Sequence, residues 1–379
     1  MKSEKRSPML DRAVIGCKVS DLPTPALILD LDALEFNLKR LPQILAKRGT
    51  KYRAHAKGHK SIEIARRQIA AGAIGICCQK LSEAKIFADG GIADILLTNE
   101  IVDPRKLAQS CELAKRCKLT MVVDSDTGIE RLDAAAHAAY IRIPVLVEVN
   151  LGQDRCGVSS LQDIVRLVRA VHGRAHLQFS GLQAYQGKLQ HVGGWENRYA
   201  AVVSTTDKLK AIVAELKAHD LAPKVITGGG TGTFEMDSEL GVINELQPGS
   251  YVMMDAQYNA IGGRGDGSFD AFRNALYVLT QVISRSGNDW CIVDAGLKAL
   301  GSDAGTTRVS GFDAPFSFAG DEHGKIELRN NEAAFSIGDR ISIIPGHCDT
   351  TVNLHNAYVV VRDGVVVDLW NVDARGCIQ

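Results

Sequence analysis

The sequence lacks the features that mark several large classes of protein. It contains no run of about 18 apolar residues, the length that a membrane-spanning helix needs, and residues 1–14 are charged without the apolar centre of a signal peptide. Basic and acidic residues number 44 each, so no excess of positive charge marks a nucleic-acid or membrane surface. We therefore expect a cytoplasmic protein that binds neither nucleic acid nor a membrane.

Two ligand-binding signatures are also missing. The nine cysteines form no CxxC pair of the zinc-binding type, and several lie inside apolar runs, as Cys77, Cys78 and Cys291 do. We expect them to be reduced thiols, as is usual in the cytoplasm. No GxxxxGK(S/T) motif occurs, which makes a nucleoside triphosphate a poor candidate ligand.

What the sequence does contain is an alternation of short β-type runs with amphipathic helical segments, beginning near Pro25. The β-type runs are residues 26–30, 51–55, 73–78, 94–98, 119–124, 144–150, 179–185 and 224–227. Eight strand–helix units in about 225 residues predict a closed (β/α)8 barrel of the TIM type, with an open doubly wound sheet as the alternative.

The rhythm changes after Tyr251, where strand-like runs follow one another without helices of barrel length between them. Such a pattern, with turn signals such as Asp363-Gly364, predicts an all-β domain. The chain is thus expected to form a barrel from residues 25–260 and a C-terminal β domain from residues 261–379, which the segment 1–24 joins.

Polar residues follow nearly every predicted barrel strand, and active sites of such barrels form at the carboxyl ends of the strands. The candidates are His55, Lys57, Gln79, Lys80, Asn99, Asp124, Arg155, Tyr185 and Gln186, together with Thr227-Gly228-Gly229-Gly230-Thr231-Gly232. Glycines let backbone N–H groups surround an anion without a side chain in the way. The glycine run and the loop at residues 247–251 therefore predict a phosphate site, with a plain surface turn as the alternative.

Lys57 stands directly after the second predicted strand. A partly desolvated lysine amine at such a place can form an imine with a carbonyl compound. Lys80 is the rival for this role, and an ordinary solvated lysine is the alternative.

A pair of possible metal ligands occurs in the β domain, at His347 and Asp349. On an extended segment, residues i and i+2 project to the same face, so imidazole and carboxylate could hold one ion. One nitrogen, one carboxylate and open positions suit Mn²⁺ or Mg²⁺ best, with Zn²⁺ as a further candidate. The alternative is an ordinary loop histidine.

Several of these segments stand in a characteristic order. They include His55-Ala-Lys57-Gly58-His59-Lys60, Arg155-Cys-Gly157-Val158, Gly181-Leu-Gln-Ala-Tyr185-Gln-Gly187, Asp294-Ala-Gly-Leu-Lys298 and Gly346-His347-Cys-Asp349. Together they resemble the D-threonine aldolase family, which includes 3-hydroxy-D-aspartate aldolases and, more distantly, eukaryotic D-serine dehydratases. The resemblance runs from about Thr24 to the C-terminus.

The resemblance implies an alanine-racemase-like fold, a homodimer and pyridoxal 5′-phosphate (PLP) as cofactor. Lys57 would carry PLP, Arg155 would partner the pyridine nitrogen, and Tyr185 would lie close to the cofactor. The other implied cofactor-binding residues are His55, Gln79, Thr227, Gly229, Gly230, Thr231, Gly232, Gly249, Ser250 and Tyr251. His347 and Asp349 would bind the metal, and His191 would stand near the substrate hydroxyl.

The implied activity is cleavage of a D-β-hydroxy amino acid, such as D-threonine or D-3-hydroxyaspartate, to glycine and an aldehyde. A D-serine or D-3-hydroxyaspartate dehydratase is the close alternative, and a non-catalytic PLP-carrier protein is the alternative of another class. Two residues depart from the family pattern near the substrate side: Gln257 replaces an acidic residue, and Thr350 replaces a common proline.

Overall fold

A computed structural model describes residues 11–286, 289–305, 307–328 and 335–379 of the chain. Its strands are β1 (Ala26–Asp30), β2 (Lys51–Tyr52), β3 (Ala54–His55), β4 (Ile76–Cys78), β5 (Asp94–Leu97), β6 (Lys118–Val123), β7 (Ile143–Glu148), β8 (Leu177–Ala184), β9 (Val225–Gly228), β10 (Glu245–Leu246), β11 (Leu276–Ser284), β12 (Trp290–Val293), β13 (Arg308–Val309), β14 (Phe316–Phe318), β15 (Gly324–Glu327), β16 (Arg340–Ile344), β17 (Ala357–Arg362) and β18 (Val365–Asn371). Its helices are α1 (Leu31–Ala46), α2 (Ile62–Ala70), α3 (Leu81–Asp89), α4 (Pro104–Ala114), α5 (Asp126–Ala138), α6 (Leu161–His172), α7 (Trp195–Ala218), α8 (Phe234–Leu240), α9 (Ala256–Asn259) and α10 (Cys348–Val352).

The first sheet closes into a parallel barrel. Its strands hydrogen-bond in the order β2-β10-β9-β8-β7-β6-β5-β4-β3. Because β2 and β3 are one strand interrupted only at Arg53, with β2 pairing with β10 and β3 with β4, the nine segments amount to eight barrel strands. The predicted (β/α)8 fold is confirmed.

Amphipathic helices cover the outside of the barrel, and α6 shows how the sequence produces one. The hydroxyl of Ser160 accepts a hydrogen bond from the Asp163 amide and so caps the first turn. Apolar residues at helical spacing then bury one face, including Ile164, Leu167 and Val171. In the described parts of the chain, no helix is long and apolar enough to cross a membrane.

One predicted barrel strand lies in the other sheet. β1 pairs with β11 and β17, where its apolar residues are buried on both faces. The prediction that residues 26–30 open the barrel is therefore wrong, and the eighth barrel strand is instead β10, two residues long. A short apolar run indicates a strand buried on both faces but does not say which sheet it joins. The proposed limits of the two domains stay a prediction.

The second sheet is mostly antiparallel and is the predicted β domain. It runs β14-β15-β12-β11-β1-β17-β18, with β16 pairing with β11 and β13. Residues of the N-terminal segment bond to its edge, since the amides of Gly16 and Val19 donate to the carbonyls of Val366 and Gly364. Residues 1–10, which we also assigned to this domain, lie outside the described residues.

A β-bulge in β8 decides which side chains face the inside of the barrel. Val145 of β7 pairs with Phe179, but the next residue, Leu146, pairs with Gly181, so Ser180 is an extra residue. Below the bulge, Ser180 lines a cavity at the amino end of the barrel; above it, Tyr185 lines the cavity at the carboxyl end. The bulge therefore turns Tyr185 inward.

We predict that Gly181→Ala destabilises the fold. Gly181 has a φ of +155°, and an added Cβ would overlap the backbone carbonyl of Val225 on the neighbouring strand. The free energy of unfolding should fall by about 2 kcal/mol or more, as in other overpacked sites. Urea unfolding would measure the loss. Gly193→Ala is the control, since no atom lies within 4 Å of its added Cβ, and an equal loss there would contradict the argument.

Candidate active site

A cavity of about 280 Å³ opens at the carboxyl end of the barrel. It brings together five of the predicted site residues, His55, Lys57, Gln79, Arg155 and Tyr185. The other lining residues are Gln247, which belongs to the predicted loop at residues 247–251, and Thr98 and Gln183, which were not predicted as site residues. The sequence marks Thr98 and Gln183 only as polar residues at the end or on the inward side of a strand, and such residues are too common to indicate a site.

A larger cavity lies at the opposite, amino end of the barrel and has a volume of about 560 Å³. Its buried arginine, Arg53, is neutralised by ion pairs with Glu245 at 3.0 Å and Asp94 at 2.6 Å. Active sites of such barrels lie at the other end. We therefore assign catalysis to the smaller cavity.

Hydrogen bonds hold one wall of the smaller cavity in a defined arrangement. Burial, and then the charge of Lys57, lower the pKa of His55 to about 3, so the ring is neutral at pH 7. Its Nδ1 accepts from the Lys57 amide at 3.4 Å, which leaves Nε2–H to donate to the Thr98 hydroxyl at 3.2 Å. Thr98 in turn donates to Gln79 Oε1 at 3.1 Å. The chain of bonds fixes the tautomer of His55.

Lys57 is the lysine that reaches this cavity. Its Nζ lies 2.7 Å from Asp349 Oδ2, and the side chain is 42% exposed. The Asp349 charge raises the pKa of the Lys57 ammonium above its usual value. The rival, Lys80, precedes α3 as its N-cap residue, and the neighbouring Lys60 is buried in an ion pair with Glu83.

Arg155 extends over Tyr185, with its guanidinium carbon 5.6 Å from the ring centre, and lies 3.8 Å from Glu148. Burial, and then the neighbouring Glu100, raise the pKa of the Glu148 carboxyl to about 9. One buried oxygen of each carboxyl group, Glu100 Oε1 and Glu148 Oε2, has no hydrogen-bond partner within the described chain. Burial and a like charge nearby both favour the protonated form of a carboxyl group. Glu148 is therefore a neutral neighbour of Arg155.

The glycine run forms the loop after β9, and residues 247–251 follow β10, so both loops stand after the last two barrel strands, where phosphate sites often form. A Cβ at Gly230 would lie 2.5 Å from Gln190 Oε1, and one at Gly232 would overlap the Gln190 backbone. Gly229 adopts a φ of +63°, which favours glycine. The Thr231 amide is buried and donates to no other described residue. A free amide between two glycines suits an anion.

Four further residues that we predicted to bind the cofactor lie in or beside these two loops. The Tyr251 ring lies in the core against Tyr52, and its amide donates to the Thr231 hydroxyl at 3.0 Å. Thr227 is fully buried, and its hydroxyl accepts from Gln247. Gly249 approaches His55, since a Cβ there would lie 3.3 Å from the His55 carbonyl oxygen. Ser250 is buried beside it.

His347 and Asp349 meet near Lys57, although not in the way we predicted. Asp349 belongs to the short helix α10 and His347 is its N-cap residue, so the segment is not extended through both residues. His347 Nε2 nevertheless lies 3.7 Å from Asp349 Oδ1. Burial opposes ionisation of Asp349, but Lys57 and His347 lower its pKa below the usual value. Cys348, between these two residues, is buried in the core.

The His191 ring contacts the Tyr258 ring, with the ring centres 4.6 Å apart and the ring planes tilted by 46°. Partial desolvation, followed by the positive charges of His347 and Lys57, lowers the pKa of His191 to about 4. The ring is therefore neutral at pH 7 and can accept a proton.

Comparison with known proteins identifies the family. Residues 29–257 match the model for the alanine racemase N-terminal domain, and residues 275–361 match that for a putative serine dehydratase domain. The 3-hydroxy-D-aspartate aldolase of Paracoccus denitrificans (strain Pd 1222) is 40% identical over 96% of this chain and 95% of its own. The chain belongs to the D-threonine aldolase and 3-hydroxy-D-aspartate aldolase family.

Two further relatives of this family agree. A D-threonine aldolase of an Arthrobacter species is 41% identical over 95% of both chains. The crystal structure of D-threonine aldolase from Filomicrobium marinum superposes with a TM-score of 0.92, at 40% identity over 96% of this chain and 98% of that one. The D-threo-3-hydroxyaspartate dehydratase of Delftia sp. (strain HT23) is more distant, at 29% identity over 92% of this chain and 97% of its own. The chain is therefore an alanine-racemase-like, PLP-dependent enzyme of the carbon–carbon lyase class, and the carrier alternative falls away.

We predict that Glu148→Gln changes how stability depends on pH. Folded Glu148 keeps its proton up to about pH 9, whereas the unfolded chain loses it near the ordinary glutamate pKa. This group therefore makes the fold less stable as pH rises from 5 to 8, and glutamine removes that penalty. The free energy of unfolding of Glu148→Gln minus that of wild type, measured by urea unfolding, should therefore increase by at least about 1 kcal/mol from pH 5 to pH 8. An identical gain in Glu130→Gln, at an exposed glutamate, would contradict this.

Proposed function

We propose that the chain is a PLP- and divalent-cation-dependent aldolase that cleaves D-β-hydroxy amino acids, such as D-threonine or D-3-hydroxyaspartate, to glycine and an aldehyde. The supporting observation is that Lys57, which lines the cavity, lies 2.7 Å from Asp349, and that Asp349 in turn lies 3.7 Å from His347. An amine for cofactor attachment thus lies beside a carboxylate and an imidazole suited to a cation. Relatives named for such aldolases match nearly the whole chain.

The residues around the cavity suit PLP. Bound PLP supplies an electron sink for the negative charge that forms at the substrate's Cα. Lys57 Nζ would attach the cofactor, and Arg155 and Tyr185 would flank its ring. The buried Thr231 amide, in a loop where Gly230 and Gly232 leave no room for side chains, would hold the phosphate.

His347 and Asp349 suit a divalent cation, because a spacing of 3.7 Å lets two ligand atoms share one ion at bonds of about 2.1 Å. Bound there, Mn²⁺ or Mg²⁺, or less favourably Zn²⁺, would supply Lewis acidity toward the substrate hydroxyl. The cation would also replace the Lys57 ammonium as the counter-charge of Asp349. Loss of that ion pair would favour the neutral amine that Lys57 needs as a nucleophile.

His191 is the proposed general base. Its ring is neutral at pH 7, so it can take the proton of the β-hydroxyl as the Cα–Cβ bond breaks. The contact with the tilted Tyr258 ring limits the orientations of the His191 ring. A base on a ring of fixed direction needs less reorganisation to reach the proton.

Dehydration is the second candidate reaction, since residues 275–361 match a putative serine dehydratase domain. A cysteine-to-alanine variant of a D-threo-3-hydroxyaspartate dehydratase has been solved in a metal-free form. Loss of the β-hydroxyl would give a keto acid and ammonia in place of glycine. The homodimer and the cytoplasmic location stay predictions.

We predict that the protein releases glycine from D-threonine but not from L-threonine, and that EDTA abolishes the release. The cation would stand on one side of the cavity, next to Asp349, so one configuration at Cα is favoured. Mn²⁺ should restore activity, and Asp349→Ala should resist rescue. Glycine, keto acid and ammonia would be measured together. Full activity in EDTA would exclude the cation, and ammonia without glycine would make the protein a dehydratase.

Borohydride treatment should fix the cofactor to the peptide that contains Lys57. Lys57 is the lysine at the cavity, whereas Lys80 precedes α3 and does not line it. Mass spectrometry of the digested protein would locate the label. Label on Lys80 would overturn the assignment. Lys80→Arg is the matched control, and it should keep the yellow colour of protein-bound PLP.

A further inference from the structure

A second carboxylate, besides Asp349, forms a hydrogen bond with the other ring nitrogen of His347. Asp303, in the loop between β12 and β13, lies with Oδ2 2.6 Å from Nδ1 of His347. An ionised carboxylate only accepts hydrogen bonds, so Nδ1 carries the proton of a neutral ring. The lone pair is then on Nε2, the nitrogen that lies 3.7 Å from Asp349 Oδ1. Asp303 thus presents the correct nitrogen of His347 to the side where Asp349 stands.

Asp303 is itself held by α10. The Thr350 hydroxyl donates to Asp303 Oδ1 at 2.6 Å, and the Thr351 hydroxyl accepts from the Gly301 amide at 3.0 Å. Gly301 leaves no space between the loop and the helix, since an added Cβ would overlap Thr350 Oγ1. The loop is therefore docked against the segment that carries both proposed ligands.

We propose that Asp303 is a positioning residue for the cation site and that Thr350 orients Asp303. The inference rests on the proposed cation dependence and goes beyond it, because it assigns a role to two residues that do not line the cavity of Lys57. A metal-binding histidine that gives its other N–H to a carboxylate is oriented and made more basic. Thr350 is also one of the two departures from the family pattern, and the proline common at that position has no hydroxyl to donate.

The test measures how tightly the cofactor-loaded protein binds Mn²⁺ after its bound cations have been removed. The electron paramagnetic resonance signal reports the concentration of free Mn²⁺. Asp303→Ala should weaken binding 10–100-fold, about the loss typical of such a partner, at unchanged stoichiometry. Thr350→Val should weaken it several-fold, and Thr350→Ser should restore it, because serine keeps the donor. Asp313→Ala, at an exposed aspartate of the same domain, is the control and should leave the affinity unchanged.

The outcomes separate this inference from the proposed function. If Asp349→Ala loses Mn²⁺ while Asp303→Ala keeps wild-type affinity, the cation site stands and the role of Asp303 is overturned. If Asp303→Ala loses Mn²⁺ as completely as Asp349→Ala, Asp303 is a ligand and not a positioning residue. Equal losses in Thr350→Val and Thr350→Ser would remove Thr350 from the argument. A wild-type protein without Mn²⁺ binding would overturn both proposals. Cofactor absorbance and the melting temperature before adding Mn²⁺ identify any misfolded variant, and Asp303→Asn then replaces Asp303→Ala with the same expected direction.

Discussion

The site depends on the close approach of the turn after β3, in the barrel, to helix α10, in the β domain. The turn after β3 passes so near α10 that a Cβ at Gly58 would lie 2.7 Å from Asp349 Oδ1. The buried hydroxyl of Tyr358, on β17, donates to the His59 carbonyl at 2.6 Å and ties the same turn to the β domain. Neither sheet alone contains both Lys57 and Asp349. Any shift between the sheets would therefore separate the amine from the carboxylate.

Two carboxyl groups at or near the cavity avoid carrying an unpaired negative charge. Lys57 and Asp349 neutralise each other, and Glu148 keeps a proton beside Arg155. Leaving a carboxylate ionised in such a buried place costs free energy unless a partner compensates it. A cation that bound at the proposed site would therefore compete with the Lys57 ammonium for Asp349.

The buried polar side chains next to the proposed phosphate loop stabilise its conformation. Gln190 accepts from the Gly232 amide and donates to Thr233, while Gln183 and Gln247 pair with each other inside the barrel. Such side chains satisfy the backbone and one another, which keeps the loop rigid without a bound ligand. Rigid donors lose little entropy when an anion binds.

The sequence by itself determined the barrel, the β domain and most of the cavity wall, because periodicity and strand-end polarity are local properties. It predicted Lys57, Arg155 and Tyr185, all of which line one cavity. It could not reveal that β1 belongs to the other sheet, since sheet membership depends on long-range pairing.

Tertiary structure alone decided the remaining features. The bulge at Ser180 turns Tyr185 inward, and a single extra residue leaves no trace in an apolar pattern. Asp303 reaches His347 across 44 residues of chain, a distance over which local sequence carries no information about contact. Burial by segments that are distant in sequence also raises the pKa of Glu148 and so keeps it protonated. Sequence specified which chemical groups are present; packing decided their neighbours, and the neighbours determine their charge and direction.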